Sequence, residues 1–353
     1  MHKRVPILRW ILYQVVIISG LGLVLSYCSF YINPLRFLLP AFFGLYFVPL
    51  VVVNAFLLLL LFIRRSSLAW IPFLSLLPTL LFVELFVQWG STNKEIHRAT
   101  IKIASYNVCN FQGYDNKSRD ETVSEINRFL EREEVDIVCM QEFYCPDTSQ
   151  IGKLFPSFPF RHMSHKGRGK SFRGNLILSR FNTAQSGEIF FQDNHRNCIY
   201  ADFQIYGMFL RVYTTHFESN KISLNALADR MRNYQEAPDE FLKVHSRIRE
   251  AFRIRTLQVE AVSQHIKEFN KPFIICGDFN DTPISYTYHR LQEGINDSFR
   301  YAGSGFGATF RYLWPALRID YILFSNAFTA TSHYTPKIPF SDHYPVLTEL
   351  VIK

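Results

Sequence analysis

Phe273 to Asp281 reads FIICGDFND. The uninterrupted apolar run Pro272–Cys276 describes a strand buried on both faces. The run stops at Gly277, and Asp278 and Asn280 follow two residues apart. In extended chain that spacing places both side chains on one face. A carboxylate and an amide are thus mounted side by side where a buried strand ends. Ligand sites in α/β proteins gather at such ends, where loops meet over a rigid sheet.

The same arrangement recurs outward from this point. Thr100–Val108 (TIKIASYNV) alternates as a half-buried strand does and carries Asn107 near its end. Val135–Met140 is a short apolar strand that runs into Gln141 and Glu142. Met208–Thr215 is a strand followed by His216, and Ile319–Phe324 is a strand with Asp320 inside it. Asp342 and His343 precede the last strand, Val346–Ile352. Asn175–Leu178 and Cys198–Ile205 read as further strands. Ser118–Glu134 reads as a helix, with Ser118 and Glu121 spaced as a capping box and Val123, Ile126 and Leu130 on one face. Phe241–Phe269 has helical periodicity within a polar insertion, Asn220–Phe269. Strands and helices interleave without a regular βαβ rhythm, which predicts an α/β sandwich with mixed sheets. No GxGxxG or P-loop pattern is present.

Each polar residue taken alone has an ordinary role: Asn after a strand forms turns, Gly-Asp is a turn pair, and a histidine at a strand end is commonly a satisfied surface or core group. The set is different, because it joins hard oxygen ligands, two histidines and an Asp-x-Asn pair. The stretches SYNV (105–108), QE (141–142), THFES (215–219), GDFND (277–281), RIDYIL (318–323) and SDHYPV (341–346) resemble, in order, the endonuclease/exonuclease/phosphatase superfamily. That group includes DNase I-like nucleases, abasic-site endonucleases, sphingomyelinases and inositol-phosphate phosphatases. The resemblance covers about residues 100–353.

The resemblance implies a four-layer α/β sandwich with two mixed β-sheets and an active site where loops from both sheets converge. It implies an enzyme that hydrolyses phosphodiester bonds by in-line attack of water. It carries a Mg²⁺ or Mn²⁺ ion to Glu142, with Asn107 beside it and Asp342 as a further metal contact. Asp278 would orient or deprotonate the water, and Asn280 would hold a phosphate oxygen. His216 and His343 would donate to charge building on the phosphate, with Asp320 fixing the His343 tautomer. Some members carry an acid two residues after the first-strand Asn; Cys109 stands there, which leaves a single metal as the simpler expectation. The competing expectation is a catalytically silent membrane-anchored binding or scaffold protein with the same fold.

The composition divides in two. Between Trp10 and Trp89 the only charged residues are Arg36, Arg64, Arg65 and Glu84. Three stretches, about 10–29, 37–63 and 68–89, are long enough to cross a bilayer, which takes roughly 20 apolar residues in a helix. They predict an anchor of three transmembrane helices over residues 1–90 and a catalytic domain over 91–353. Two further apolar stretches follow the first, and no small-residue cleavage site ends it, which favours an anchor over a cleaved signal. Lys3, Arg4, Arg9, Arg64 and Arg65 against Arg36 place the N-terminus and the second loop in the cytoplasm. The chain then reads as a multi-pass cell-membrane protein with its catalytic domain on the extracytoplasmic side.

Of six cysteines, Cys28 lies in the apolar part, leaving an odd number, which is no disulfide framework. The net charge of +8 is partly that of loops beside the membrane. Arg161, His162, His165, Lys166, Arg168, Lys170 and Arg173 form the one basic run suited to a nucleic-acid groove. The expected partner is a phosphate ester, either nucleic acid or a phospholipid or inositol-phosphate head group, besides the bilayer itself.

Overall fold

The computed structural model describes residues 7–90, 99–112, 117–164, 170–191, 197–220, 237–313 and 317–353. The chain forms two compact units. One takes the residues up to Phe86 together with Asp281–His289; the other takes Val87–Asn280 and Arg290–Lys353.

The larger unit contains two six-stranded sheets. In one, β13 (Phe328–Tyr334), β14 (Val346–Ile352), β2 (Thr100–Asn107), β3 (Ile137–Cys145), β5 (Phe172–Ser179) and β4 (Phe160–Met163) lie in that order. The other runs β10 (Asn296–Asp297), β12 (Asp320–Phe324), β9 (Phe273–Asp278), β8 (Met208–His216), β7 (Asn197–Ile205) and β6 (Thr183–Phe190). Only β2 with β3 and β8 with β9 pair in parallel; the remaining neighbours are antiparallel. Both sheets are therefore mixed, as the irregular alternation predicts.

One face of each sheet meets the other in an apolar core of Ile101, Ile103, Ile137, Ile199, Val212, Ile274 and Ile322. Cys139 and Cys276 lie in this core as small apolar groups, and no disulfide joins any of the six cysteines. Helix α5 (Arg119–Arg132) covers the outer face of the first sheet through Val123, Ile126 and Leu130. Its start is a complete capping box: Ser118 Oγ accepts the Glu121 N–H, and Glu121 Oε2 accepts the Ser118 N–H at 2.7 Å. The long helix α7 (Ala237–Glu268) lies on the second sheet, where His265 meets Tyr200 and Tyr213. Between these outer helices the sheets make the four-layer sandwich.

The smaller unit contains α1 (Ile7–Tyr31), α2 (Leu39–Leu45), α3 (Phe47–Ile63) and α4 (Trp70–Leu76). Three continuous spans are not what forms. Helix α1, 25 residues, is long and apolar enough to cross a membrane. Helices α2 and α3 are one apolar stretch bent by 73°. Pro49 explains the break, since its missing N–H and its ring disrupt the turn four residues back, at Leu45. The third stretch is helical over only Ser67–Leu81. At ~1.5 Å per residue it falls short of a ~30 Å hydrocarbon core. Pro72 and Pro78 interrupt its hydrogen bonding, and Leu77–Leu81 tightens to a 3₁₀ helix.

Polarity in this unit is inverted. Ser19, Ser26, Ser29, Asn54 and Ser75 are buried, whereas Ile18, Leu21, Phe56, Leu59, Phe62 and Leu80 are exposed. Asn54 donates to the Ser19 and Leu50 carbonyls, and Tyr27 donates to the Ser75 carbonyl. These polar groups hold helices together, so Asn54 is spoken for structurally. Residues 281–289 pack within the same unit: Ser29 Oγ donates to the Ile284 carbonyl at 2.6 Å, and the rings of Phe30 and His289 lie 4.3 Å apart.

Candidate active site

Strand register alone gathers most of the polar set. Asn107 and Gln141 are partners at the ends of β2 and β3. His216 and Asp278 are partners at the ends of β8 and β9, and Asp320, where antiparallel β12 begins, pairs with the same Asp278. A buried link crosses between the sheets just beneath: Gln141 Nε2 donates to Thr214 Oγ1 at 2.8 Å. Ser341 Oγ donates to the Asn107 carbonyl at 2.8 Å and so brings in the segment that carries His343.

Two local devices aim the side chains. A bulge interrupts the β3–β5 register between Met140 and Phe143, and Glu142 sits in it with φ 50°. The bulge turns Glu142 toward the site instead of continuing the strand's alternation. Gly277 has φ 149°, and a Cβ there would collide with the Thr215 carbonyl. Glycine therefore lets β9 approach β8 closely just before Asp278. Five of the non-glycine residues with positive φ, Cys109, Asn110, Phe111, Glu142 and Asn280, lie around this one place. Backbone strain of this kind persists where surrounding structure enforces it, commonly at functional sites.

Asp278 is the centre. It is buried; its Oδ1 accepts the Asn280 backbone N–H at 2.8 Å and its Oδ2 accepts Asn107 Nδ2 at 3.0 Å. His216 Nε2 lies 3.5 Å and His343 Nε2 3.8 Å from Oδ2. Burial pushes the carboxyl up from 3.8 to about 7, aided by the Asp320 charge and opposed by His343 and the two hydrogen bonds. His343 Nδ1 donates to Asp320 Oδ2 at 2.8 Å, which leaves Nε2 facing Asp278. Burial disfavours charge on His343, but the Asp320 and Asp278 carboxylates outweigh it and hold the imidazolium up to about 10. Thr309 supports this pair. Its Oγ1 accepts the Asp320 N–H, its carbonyl accepts the Tyr344 N–H, and Phe310 meets the His343 ring edge-on at 5.2 Å.

Glu142 is 33% exposed, while Asp278 and Asp320 are buried. Its Oε1 accepts Asn107 Nδ2 and its Oε2 accepts Asn110 Nδ2, both at 3.3 Å, and His216 Nε2 is 3.6 Å from Oε1. Among the described residues no Lys or Arg pairs with Glu142, Asp278 or Asp320. An accessible carboxylate beside neutral amides, with no Lys or Arg paired to it among the described residues, fits a hard divalent cation, which keeps several waters and takes few protein ligands. Asp278, Asp320 and His343 also bring donor atoms within 4.8 Å of one another. The short Nδ1–H···Oδ2 bond between two of them makes that trio a proton-holding arrangement rather than a cage.

Asp342 and Asn107 each make a local hydrogen bond at the edge of this cluster. Asp342 accepts Ser341 Oγ at 3.2 Å, and its charge helps hold the neighbouring His343 imidazolium. Asn107 Oδ1 accepts the Cys109 N–H, so the end it offers the carboxylates is its N–H end. Asn280 gives one amide hydrogen to the Phe217 carbonyl at 3.0 Å, leaving the other for a ligand. Asn110 and Thr309 carry no signal in the sequence pattern. Of the basic run, His165, Lys166 and Arg168 lie outside the described residues, and His162 is buried against the Gly187 carbonyl.

With this geometry in place, the comparisons with known proteins agree. The model of the endonuclease/exonuclease/phosphatase family matches residues 104–343, and the chain belongs to that family. A second family model, described as a domain of unknown function, matches residues 9–86. None of the curated proteins matches the chain. Among solved structures, the endonuclease/exonuclease/phosphatase from Bacteroides vulgatus is 19% identical, with a TM-score of 0.54 over 72% of this chain and all (100%) of that one. The mannosyl-6-phosphatase from Bacteroides thetaiotaomicron is 19% identical, with a TM-score of 0.51 over 71% of this chain and 100% of that one. A humanized D. rerio TDP2 is 20% identical, with a TM-score of 0.51 over 71% and 98%. At these identities the likeness is one of fold.

Proposed function

We propose that the chain is a membrane-held, divalent-cation-dependent phosphoesterase that hydrolyses its substrate by in-line attack of a water held at Asp278. One observation carries this reading: the ends of β2, β3, β8, β9 and β12 and the segment before β14 all deliver polar side chains around a single buried carboxylate. A scaffold has no use for that convergence, nor for a carboxyl raised to about 7.

Asp278, ionised, takes the proton of the attacking water, and Asn107 and the Asn280 N–H fix its orientation. The second Asn280 amide hydrogen and His216 Nε2 donate to non-bridging phosphate oxygens. His343, kept charged and in one tautomer by Asp320, donates from Nε2 where negative charge grows. Glu142 holds the Mg²⁺ or Mn²⁺ ion, oriented by Asn107 and Asn110. When bound, the ion supplies Lewis-acid polarisation of a phosphoryl oxygen.

The inverted polarity of the smaller unit supports a lipid-facing role for its exposed apolar side chains. With α1 and the bent α2–α3 pair as spans, the loop charges favour a multi-pass protein of the cell membrane. The catalytic domain then stands on the extracytoplasmic side if the short third stretch also completes a crossing with the segment that follows it. The nine residues after Asn280 belong to the apolar unit. The burial of His162 within the basic run weighs against a nucleic-acid groove and favours a phospholipid head group.

The test is turnover by the full chain in lipid, with matched Mn²⁺ and salt. Phosphatidylinositol, sphingomyelin, single- and double-stranded DNA and, given one neighbour's name, a mannose 6-phosphate would be compared. EDTA-sensitive cleavage of a lipid ester is expected. Cleavage of DNA alone, falling steeply with salt, would exclude the lipid reading.

A further inference from the structure

Asn110 lies in a turn of three consecutive left-handed residues, Cys109 (φ 44°), Asn110 (φ 55°) and Phe111 (φ 57°). The turn is held from both sides. Val108 donates its N–H to the Gln141 carbonyl, Phe111 is buried edge-on to Phe143 at 5.4 Å, and the Arg119 guanidinium lies over the Phe111 ring. Non-glycine residues adopt this region rarely, and three in succession need such enforcement. What the enforced turn delivers is one side chain: Asn110 Nδ2 donates to Glu142 Oε2 at 3.3 Å.

The other end of that amide is unusual. Asn110 Oδ1 is buried and accepts no hydrogen bond among the described residues. Leaving a buried carbonyl oxygen without a partner costs about 1–3 kcal/mol. The neighbouring amide does not share this condition, since Asn107 Oδ1 accepts the Cys109 N–H. Of the two amides that touch Glu142, only Asn110 therefore has an idle, neutral, hard oxygen. A half-rotation of the amide exchanges N–H and oxygen in the same space. With Glu142 bare, the N–H end faces the carboxylate; with a cation on Glu142, the oxygen end suits the same position.

We propose that Asn110 is a second protein ligand of the divalent cation, donating through Oδ1 beside Glu142. The inference rests on the cation-dependent reading above. It assigns a ligand that lies one residue beyond Cys109, the position where an acid is absent. It also gives the strained turn a purpose, since a relaxed turn would carry the amide away from Glu142.

The test is Mn²⁺ binding to the full chain by titration calorimetry, together with thermal melting in EDTA. Asn110→Gly removes the amide and keeps φ 55° without strain. Asn110→Asp replaces the amide with a carboxylate that tolerates the same backbone. Asn110→Gly is expected to weaken Mn²⁺ binding by about tenfold or more with little change in the EDTA melting temperature. Asn110→Asp is expected to bind Mn²⁺ at least as tightly as the wild type, although metal-free melting falls because two carboxylates then face each other. Wild-type Mn²⁺ affinity in Asn110→Gly overturns the ligand role while leaving the phosphoesterase reading standing. Affinity lost equally in Asn110→Asp overturns it too, because a mere brace for Glu142 fails when its N–H is removed. No Mn²⁺ binding by the wild type overturns both.

Discussion

Asp320 acts on no substrate atom in this account, yet its charge should set the pH range of the enzyme. Asp320→Asn keeps the shape and removes the charge. The Asp320 Oδ2–His343 Nδ1 bond is short, at 2.8 Å, and buried. A hydrogen bond between charged groups contributes about 1.5–3 kcal/mol. If all of it stabilises the transition state, kcat falls about 10- to 150-fold at one factor of ten per ~1.4 kcal/mol. The pH profile is more specific than the rate. Activity needs Asp278 ionised, so it rises with pH through the Asp278 transition, near 7. It needs His343 charged, so it falls through the His343 transition, near 10. The Asp320 charge raises both. Its removal should move both limbs of the bell to lower pH, as macroscopic shifts of a coupled pair. The assay is kcat against pH for a chromogenic phosphodiester with Mn²⁺ and the full chain in detergent. A slower enzyme whose limbs stay in place would refute the electrostatic role and leave Asp320 as packing.

Glu142→Gln should weaken Mn²⁺ binding about 10- to 100-fold by calorimetry; unchanged affinity would put the ion elsewhere. Gly277→Ala should destabilise the folded domain by about 1–3 kcal/mol, since φ 149° disfavours a side chain and the new Cβ meets the Thr215 carbonyl. An unchanged melting temperature would contradict this. Asp278 is raised in the folded state, so its contribution to stability is fully present below 3.8 and is lost as pH rises through about 7. Melting in EDTA should therefore fall over that window in the wild type and less so in Asp278→Asn; a parallel pair of curves would argue against the buried, raised carboxyl. An alkaline-phosphatase fusion after Lys353 should be active outside the cytoplasmic membrane, and activity only with a cytoplasmic reporter would reverse the topology.

The parts of the fold that the sequence makes legible are those where one local rule acts alone. The apolar run 273–276 becomes β9, Val346–Ile352 becomes β14 without adjustment, and Ser118 and Glu121 cap α5 as their spacing predicts. Edge strands are harder to read, because one side of their ladder is unpaired and their burial pattern is weak. β6 is mostly exposed or half-buried along its length, and β13 carries a bulge between Ala330 and Ser332. The apolar helices were readable in composition but not in continuity, which Pro49, Pro72 and Pro78 decide. In the site, the residues at strand ends announce themselves through an apolar-to-polar switch. Asn110 does not, since nothing in VCNF signals three left-handed residues.

The proposed chemistry runs through Asp278 and a divalent cation. It is tested most directly by phosphodiester turnover of the purified full chain, measured with Mn²⁺, with EDTA, and in Asp278→Asn and His343→Ala. Turnover is expected with Mn²⁺ and none in EDTA, with a loss of about 10²-fold or more in each variant whose Mn²⁺ binding is retained. Turnover that survives in Asp278→Asn, or that ignores EDTA, would contradict it.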